Sequence, residues 1–172
     1  MTAEKDGDPV INEAEAEVVR LIYRLFLEGK TQAMICKQLQ EMQIPTPSGK
    51  TVWSKTTVTS ILQNEKYKGD ALLQKCFTVD FLSKRTKANA GEVPQYYVEN
   101  SHPAIIVPEE WEQVQAEFAR RKAMGGTYSG KDALSARLVC EDCGGFFGSK
   151  VWHSTDKYRK VIWQCNNKWK KD

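Results

Sequence analysis

Three cysteines near the carboxyl-terminal end of the sequence carry its clearest chemistry. Cys140 and Cys143 are two residues apart and are followed by two glycines, and Cys165 ends a run of alternating apolar residues. Two cysteines at this spacing can hold one side of a tetrahedral zinc ion, because the tight turn between them points both thiolates inward. The pattern predicts a zinc-binding module with these three ligands. Only half of a second ligand pair is present, so we expect the module to stop before its last ligand.

The fourth zinc ligand stays open at this point. His153, a water molecule or a neighbouring molecule could complete the coordination, although three protein ligands bind zinc more weakly than four. His153 lies on a predicted strand, where a surface position is the simpler interpretation. Cys36 and Cys76 have no ligand spacing, and we expect both to be small buried side chains.

Composition narrows the class of protein. The 172 residues have room for one domain or two small ones, and 41% of them are hydrophobic and 27% charged. No apolar stretch approaches the length of a membrane span, and the polar amino-terminal residues do not resemble a signal peptide. Five cysteines, an odd number, favour a reducing compartment and metal binding over disulfides. We therefore expect a cytoplasmic protein with no membrane partner.

The net charge is only +3, but the bases are concentrated in two segments. Residues 50–90 contain eight Lys and Arg against three Asp and Glu, and residues 149–172 contain seven against two. Two separated basic segments could contact phosphates at two places, whereas lysines that only solvate surface strands would give the same balance. Trp152, Trp163 and Trp169 could stack on nucleotides, but tryptophans in a small ribbon usually form its core.

Hydrophobic periodicity predicts two helices in the first part of the chain. The first covers residues 12–28 and ends at Gly29, where a left-handed residue suits a helix terminus. The second covers residues 31–43, with Thr31 as its N-cap and Met42 on its core face.

A third predicted helix is the best candidate for contacting DNA bases. It starts near Ser54, after a segment at residues 44–50 whose two prolines make the connection longer than that of a strict helix-turn-helix. Its outward face is polar and consists of Lys55, Thr56, Thr59, Ser60 and Gln63. These side chains can reach base edges or phosphates without a large apolar penalty, yet the same face would suit a helical bundle in water.

After the third helix the hydrophobic period changes from helical to alternating. Residues 71–81 and 95–98 are predicted strands, joined by a basic, polar loop at residues 83–91 that could lie along a nucleic-acid backbone. Residues 108–122 are a predicted helix with acids in its first turn and bases in its last. Residues 125–130 are a predicted linker or long turn.

Several specific motifs follow one another along the chain. They include Ile44-Pro45-Thr46-Pro47-Ser48-Gly49 and Asn64-Glu65-Lys66-Tyr67-Lys68-Gly69. In this order they resemble the recombinase domain of the large serine recombinases, which are phage integrases and conjugative-transposon recombinases. The segment from Tyr97 to Ile106 and the region from Cys140 to Cys165 resemble the zinc-binding domain of that family. The resemblance covers nearly the whole chain.

The resemblance implies a fold class and a division into domains. The class is α+β: a small helical domain of the winged-helix-like or helix-turn-helix-variant kind, followed by a mixed α/β zinc-ribbon domain. We expect the recombinase domain, with a basic strand-loop extension, at residues 1–100. The zinc ribbon, with a leading helix, is expected at residues 101–172. The last zinc cysteine of the family is expected just past Asp172, and the coiled-coil insertion common in the family's ribbon is not found.

The implied function is recognition of half an attachment site for DNA integration or excision. In that family a separate domain carries the serine nucleophile within a Tyr-x-Arg-x-Ser segment, which this sequence lacks. We therefore expect the chain to bind double-stranded DNA without cutting it, and the intact protein to be a site-specific recombinase. The expected partners are DNA and other recombinase subunits, with no small-molecule substrate. A bacterial, phage or transposon origin follows from the same resemblance.

The predicted DNA contacts combine side-chain chemistry with the resemblance. The third helix should enter the major groove, the residues just after it should meet phosphates, and the basic loop and the ribbon should add further contacts. The residues are Lys55, Thr56, Thr57, Thr59 and Ser60; Lys66, Tyr67 and Lys68; Lys84, Arg85 and Lys87; and Lys150, Lys157, Arg159 and Lys160. Arg85 and the helix residues are expected to govern specificity, and the lysines affinity.

Two other functions remain open from the sequence. The chain could be a stand-alone, sequence-specific DNA-binding regulator such as a repressor. It could also be a zinc-ribbon protein-interaction module whose basic face is incidental. Strong salt dependence of duplex binding separates a DNA-binding protein from the interaction module. Strand exchange after fusion to a serine-recombinase catalytic domain separates a recombinase from the regulator.

Overall fold

A computed structural model of the chain describes residues 2–3, 9–80, 82–123, 134–135 and 137–168. Within these residues, helices and two-stranded antiparallel sheets alternate, which confirms the predicted α+β class. In chain order the elements are β1 (Thr2–Ala3), β2 (Pro9–Val10), α1 (Glu13–Leu27), α2 (Gln32–Glu41), α3 (Lys55–Gln63), a 3-10 helix (Glu65–Lys68), β3 (Ala71–Leu73), β4 (Cys76–Thr78), β5 (Thr86–Ala88), β6 (Tyr96–Val98), α4 (Pro108–Ala123), β7 (Phe147–Trp152) and β8 (Lys160–Cys165). The paired strands are β1 with β2, β3 with β6, β4 with β5, and β7 with β8. No helix in the described part of the chain is both long and apolar enough to cross a bilayer.

The main hydrophobic core lies among the four helices. Apolar side chains at helical spacing on α1, α2 and α3 turn inward, and burying such a stripe is what stabilises short helices in a protein. The buried members of this core are Val19, Ile22, Tyr23, Leu25, Phe26, Ile35, Cys36, Leu39, Trp53, Val58, Ile61, Leu62, Ile106 and Val114. The prediction that Cys36 is buried is confirmed, whereas Cys76 lies exposed on β4 and its predicted burial was wrong.

Helix α4 packs onto the same core. The rings of Phe26 and Phe118 lie 4.6 Å apart between their centroids. The guanidinium of Arg121 donates hydrogen bonds to the backbone carbonyls of Phe26, in the last turn of α1, and of Lys30, in the turn after α1, each at 3.1 Å. The predicted domain boundary after residue 100 stays a prediction, and this packing argues for counting α4 with the helical unit.

Local capping sets the helix ends. The hydroxyl of Thr31 accepts a hydrogen bond from the Met34 backbone N–H at 3.3 Å, so Thr31 is the N-cap of α2 as predicted. Helix α2 ends at Glu41, and Met42 is its C-cap residue with 51% of its surface exposed. The predicted core position of Met42 was therefore wrong. Because the helix ends before Met42, the helical spacing no longer places this side chain on the inner face.

The strands after α3 are shorter and more numerous than the sequence pattern indicates. The predicted strand over residues 71–81 is divided at Gln74, which has a φ of 62°, into β3 and β4. The predicted basic loop at residues 83–91 contains β5, which pairs with β4. Its assignment as a loop was wrong for that part. Strand β6 then pairs with β3, so the β4–β5 hairpin is an insertion between two paired strands. The predicted linker at residues 125–130 lies outside the described residues.

The last part of the described chain is the β7–β8 hairpin. Its register pairs Phe147 with Cys165 at one end and Trp152 with Lys160 at the other. Trp163 is half-buried, but 47% of Trp152 is exposed, so the prediction of a tryptophan core fails for Trp152. Trp169 lies outside the described residues.

Candidate functional site

The outward face of α3 lines an open, polar groove. Ser54, near which the sequence predicts the helix to start, caps the helix by accepting a hydrogen bond from the Thr57 backbone N–H at 3.1 Å. Because Val58 is fully buried on the inner face, the polar residues of α3 are turned outward. The groove has a volume of about 610 Å³ and is lined by Lys55, Thr56, Thr59, Ser60, Gln63, Asn64 and Lys75. Four of the five α3 residues predicted to contact DNA therefore lie together.

The fifth α3 residue, Thr57, has a different position. It is half-buried and lies outside the lining of the groove. Its hydroxyl lies 2.8 Å from the Ser54 hydroxyl, within the N-terminal cap of the helix. Its side chain is thus part of the cap.

Sequence reasoning missed Asn64 and Lys75 in this groove. Asn64 also accepts a hydrogen bond from the Lys66 backbone N–H and so starts the 3-10 helix. Lys75 lies in the bend between β3 and β4, a position that was predicted to be the interior of one strand. No signal in the sequence separates Lys75 from the other lysines of the basic segment.

The residues just after α3 differ in their accessibility. Lys66 is exposed, but the ring of Tyr67 packs against the helical core, where burial raises the pKa of its hydroxyl. Lys68 has 15% of its side chain exposed, and its ammonium lies 2.9 Å from the Asp70 carboxylate and 4.7 Å from the centre of the Trp111 ring. Lys66 is thus available to a ligand, whereas Tyr67 and Lys68 are engaged within the protein.

The β4–β5 hairpin presents a second group of predicted contacts. Lys84, Arg85 and Lys87 are all exposed on it. Its turn is ordered by backbone hydrogen bonding, since the Val79 N–H donates to the carbonyl of Arg85 at 2.9 Å. Lys87 lies 2.5 Å from the Glu92 carboxylate, and this hydrogen bond is the main reason why the pKa of Glu92 is lowered to about 2. The hairpin therefore carries two exposed bases, Lys84 and Arg85, beside one paired base.

The three predicted metal ligands are brought together. The sulfur atoms of Cys140, Cys143 and Cys165 all lie within 4.8 Å of one another. Gly144, with a φ of 65°, allows the tight turn, and its N–H donates to the carbonyl of Cys140 at 2.9 Å. Asn167 donates to the sulfur of Cys165 from its backbone N–H at 3.4 Å. Such a set of thiols fits a thiophilic metal ion, because thiolate ligands are commonly supported by N–H donors.

His153 lies too far away to join this cluster. It follows Trp152 at the end of the β7–β8 hairpin opposite to Cys165. Five strand residues separate the two ends, which is about 16 Å at the usual rise of a strand. Its ring nitrogen Nδ1 lies 2.9 Å from the Asp156 carboxylate instead. His153 is therefore a turn residue.

The bases of the hairpin lie toward the His153 end. Lys150, Lys157, Arg159 and Lys160 are all exposed. The Lys157 ammonium lies 5.2 Å from the centre of the Tyr158 ring, and that of Lys160 lies 6.0 Å from the centre of the Trp152 ring. The tip thus presents cations beside exposed aromatic rings, while the cysteine cluster occupies the other end.

Comparison with known proteins gives one family and several solved structures. Residues 13–121, more than half of the chain, match the family model described as Recombinase. This match confirms the resemblance to recombinases that the sequence motifs indicate. A chain from work on the sequence requirements of the Listeria innocua prophage attP site is 24% identical, with a TM-score of 0.49. A chain from the crystal structure of an LSR–DNA complex is 25% identical, with a TM-score of 0.48. The protein covers 66% and 50% of the lengths of these two chains, which cover 96% and 97% of it.

Proposed function

The chain belongs to the Recombinase family, and on that premise we propose that it is a DNA-binding part of a site-specific serine recombinase that recognises half of an attachment site. The observation that carries the proposal is the groove on α3. It brings together hydroxyl, amide and ammonium groups from Lys55, Thr56, Thr59, Ser60 and Gln63 on one accessible helix face. Those are the groups that read base edges and bind phosphates.

The dimensions of α3 suit the major groove of DNA. The helix has nine residues, which gives a length of about 13.5 Å at the usual rise. The major groove of B-DNA is about 12 Å wide and admits one helix. Threonine, serine and glutamine are short or flexible enough to hydrogen-bond to base edges when the helix axis lies in the groove. We assign base contact to Thr56, Thr59 and Ser60, together with Gln63.

We assign phosphate contact to the exposed lysine and arginine side chains around this helix. Lys55 is the first residue of α3 and Lys66 lies in the 3-10 helix that follows α3. The β4–β5 hairpin adds Lys84 and Arg85, with Lys87 paired to Glu92. Only 15% of the Lys68 side chain is exposed, so a phosphate there would have to displace the carboxylate of Asp70. The predicted contacts at Lys68 and Tyr67 are therefore the weakest of the set, and we assign the affinity of this region to Lys66.

The β7–β8 hairpin would extend the interface to a second stretch of DNA. Lys150, Lys157, Arg159 and Lys160 lie along or at the tip of the hairpin, and we propose that they contact phosphates. Zinc bound by Cys140, Cys143 and Cys165 would fix the opposite end, because a bound metal ion joins the turn at Cys140 to the last residue of β8. The zinc would therefore stabilise the conformation of the hairpin.

In the whole recombinase, DNA cleavage would belong to a serine nucleophile in another domain. We propose that this chain supplies recognition and that cleavage requires that domain and other recombinase subunits, acting in the cytoplasm. The chain's own contribution to recombination would be to hold an attachment-site half in a defined register. Ser60 of α3 would serve as a hydrogen-bonding group.

Selection from a random duplex library of about 30 base pairs, with zinc-loaded protein at near-physiological salt, tests this function. We expect one enriched motif that spans more than one turn of the duplex. A variant with Thr56→Ala and Gln63→Ala should lose that motif, because alanine keeps the helix but removes two base-reading groups. Gln113→Ala, at an exposed glutamine on α4, is the matched control.

Two outcomes would overturn the proposal. Retention without any enriched motif, which vanishes as the salt concentration rises, would leave only nonspecific charge attraction. If the α3 variant and the wild type enrich the same motif, then α3 does not take part in recognition. Strand exchange by the chain fused to a serine-recombinase catalytic domain would then separate a recombinase part from a regulator that binds DNA alone.

A further inference from the structure

Lys75 forms the side of the α3 groove that faces the helix. It does not belong to α3 and lies twelve residues beyond the end of that helix in the sequence, yet it lines the same groove as Lys55, Thr59 and Gln63. The groove thus has two sides: a helix face with hydroxyl and amide groups, and a single ammonium group opposite. A polyanion strand that lay in the groove would meet both.

The backbone around Lys75 is held by one residue, Asn89. Gln74 has a φ of 62°, a left-handed conformation that residues other than glycine and asparagine rarely adopt. The side-chain amide of Asn89 donates to the carbonyl of Gln74 at 2.9 Å, and the Asn89 backbone N–H donates to the carbonyl of Lys75 at 2.8 Å. The bend that turns Lys75 toward the groove is therefore held from the neighbouring strand.

The ammonium group of Lys75 is held by Glu65. Its nitrogen lies 2.7 Å from Oε1 and 2.8 Å from Oε2 of that carboxylate. Glu65 has 10% of its side chain exposed, whereas Lys75 has 46% exposed. Glu65 also accepts a hydrogen bond from the Leu72 backbone N–H at 3.2 Å. The carboxylate thus anchors the ammonium from the protein side, and the other side of the ammonium faces the groove.

The charge of Glu65 persists despite its burial. Burial works to raise the pKa of this carboxyl, but the hydrogen bond from Lys75 and those from the backbone outweigh it and lower the pKa. Glu65 begins the 3-10 helix directly after Asn64, the C-cap of α3, so the anchor moves with α3. Lys75 is therefore tied through Glu65 to the segment that directly follows α3.

We propose that Lys75 contacts a backbone phosphate of the DNA strand whose bases α3 reads, and that Glu65 is the positioning residue that sets the distance between this phosphate and the helix. The inference rests on the proposed function, because it takes DNA to be the occupant of the groove. An ammonium has three hydrogens to donate. When a DNA backbone runs between the two sides of the groove, a phosphate oxygen is the acceptor for one of them.

Measurement of duplex affinity against salt concentration tests the contact at Lys75. The probe is the 30-base-pair duplex recovered by the selection described above, and each phosphate contact contributes about 0.9 to the slope of log affinity against log salt. We expect Lys75→Gln to lower the slope by that amount, so that the wild type's advantage shrinks by about 3.5-fold between 50 and 200 mM salt. Lys122→Gln, at an exposed lysine on α4 outside the groove, is the control and should leave the slope unchanged.

A second variant separates the loss of a phosphate contact from the loss of folding. Lys75→Gln leaves the Glu65 carboxylate without its counterion, whereas Glu65→Gln combined with Lys75→Gln removes both charges and keeps the net charge of the protein. Thermal melting should show that the double variant is folded, and its slope should fall by the same amount as that of Lys75→Gln. An unchanged slope in this folded double variant would refute the phosphate contact.

Phosphate ethylation interference tests the positioning role of Glu65. We expect one phosphate whose ethylation weakens binding of the wild type and not of Lys75→Gln. Glu65→Gln keeps the ammonium but loosens it, so ethylation at that phosphate should weaken binding less than in the wild type. If Glu65→Gln gives the wild-type pattern, Glu65 is only a structural partner.

The two proposals fail in different ways. If the wild type shows no salt-dependent duplex binding, the proposed function itself is refuted. If the wild type binds its motif and Lys75→Gln behaves like Lys122→Gln, only the role of Lys75 is refuted.

Discussion

Asp70 joins the 3-10 helix to the strands that carry the β4–β5 hairpin. Only 6% of its surface is exposed. Its carboxylate accepts hydrogen bonds from the Tyr97 hydroxyl, from the Lys68 ammonium at 2.9 Å and from the Asn100 backbone N–H at 3.0 Å. The bond from Tyr97, then those from Lys68 and Asn100, lower the pKa of Asp70 to about 2. One buried carboxylate thus fixes three parts of the chain.

We expect Asp70→Asn to lower the free energy of unfolding by about 2–3 kcal/mol. The substitution keeps the size of the side chain but removes its charge and one of its two acceptor oxygens. The Lys68 side chain, which is 15% exposed, is then left without its counterion. Hydrogen bonds to charged groups contribute roughly 1.5–3 kcal/mol, and breaking a buried ion pair from one side costs about 3–5 kcal/mol. Partial exposure of the pair places the expected value near the lower end.

Urea denaturation followed by circular dichroism measures this loss. Asp80→Asn is a matched control, because Asp80 is exposed and the amide oxygen of asparagine can still accept one of the two hydrogen bonds that the N–H groups of Leu82 and Ser83 donate to Asp80. We expect this control to change stability by less than about 0.5 kcal/mol. In a double-mutant cycle with Lys68→Met, the coupling energy should be about 1–3 kcal/mol. A loss below about 0.5 kcal/mol for Asp70→Asn would refute the reasoning.

The same variant also tests how the stability of the protein depends on pH in acid. The folded-state pKa of Asp70, about 2, lies below its ordinary value of 3.8. A group with a lowered folded-state pKa stabilises the protein fully above its ordinary pKa, and this stabilisation is lost as the pH falls through the folded-state value. The difference between wild type and Asp70→Asn should therefore be constant from pH 7 to about pH 5 and shrink between pH 4 and 2. A difference that stays constant down to pH 2 would contradict the assignment.

Three further predictions concern a turn, the DNA contacts and the metal site. Gly69→Ala should destabilise the protein by about 1–3 kcal/mol in thermal melts, because Gly69 has a φ of 97° and a Cβ there would lie 2.9 Å from a packed carbonyl oxygen. Gly49→Ala, with a φ of 75° and open space around it, should cost less, and equal losses would disprove the steric explanation. Arg85→Ala should weaken binding to the selected motif more than binding to a scrambled duplex in a fluorescence titration; equal loss on both would remove Arg85 from specificity. Cys143→Ser should weaken zinc binding at least about tenfold in competition with a chelating dye, whereas Cys76→Ser should not, and equal affinities in the two variants would exclude Cys143 as a ligand.

The helical part of the fold is well predicted from the sequence, for a local reason. The predicted helices over residues 12–28 and 108–122 correspond to α1 and α4 within one residue at each end. The apolar period and the capping residues act within a few residues of one another, so no distant contact has to be known. Thr31 shows this directly, since the predicted cap of α2 accepts the expected hydrogen bond from the Met34 backbone N–H.

The basic β4–β5 hairpin could not be predicted in the same way. Thr86, Lys87 and Ala88, which form β5, are all exposed, so no alternation of buried and exposed residues marks the strand. Backbone pairing with β4 and the side-chain amide of Asn89 hold it instead. The position of Lys75 depends on the same contacts and on a carboxylate ten residues away, which explains why sequence reasoning placed it in a strand.

The position of α3 must be set from its inner side. A helix of nine residues is too short to be stable alone in water, where about 12–15 residues are needed, and its outer face buries little. Val58, Ile61 and Leu62 attach it to the core. The buried Tyr23 hydroxyl lies 3.3 and 3.2 Å from the carbonyl oxygens of Ile61 and Leu62, and these two acceptors share its single hydrogen. These carbonyls belong to the last turn, the part of a helix whose acceptors lack partners within the helix. Because these inner-face contacts hold α3 in place, we expect substitutions on the groove side to alter the proposed DNA recognition without altering the fold.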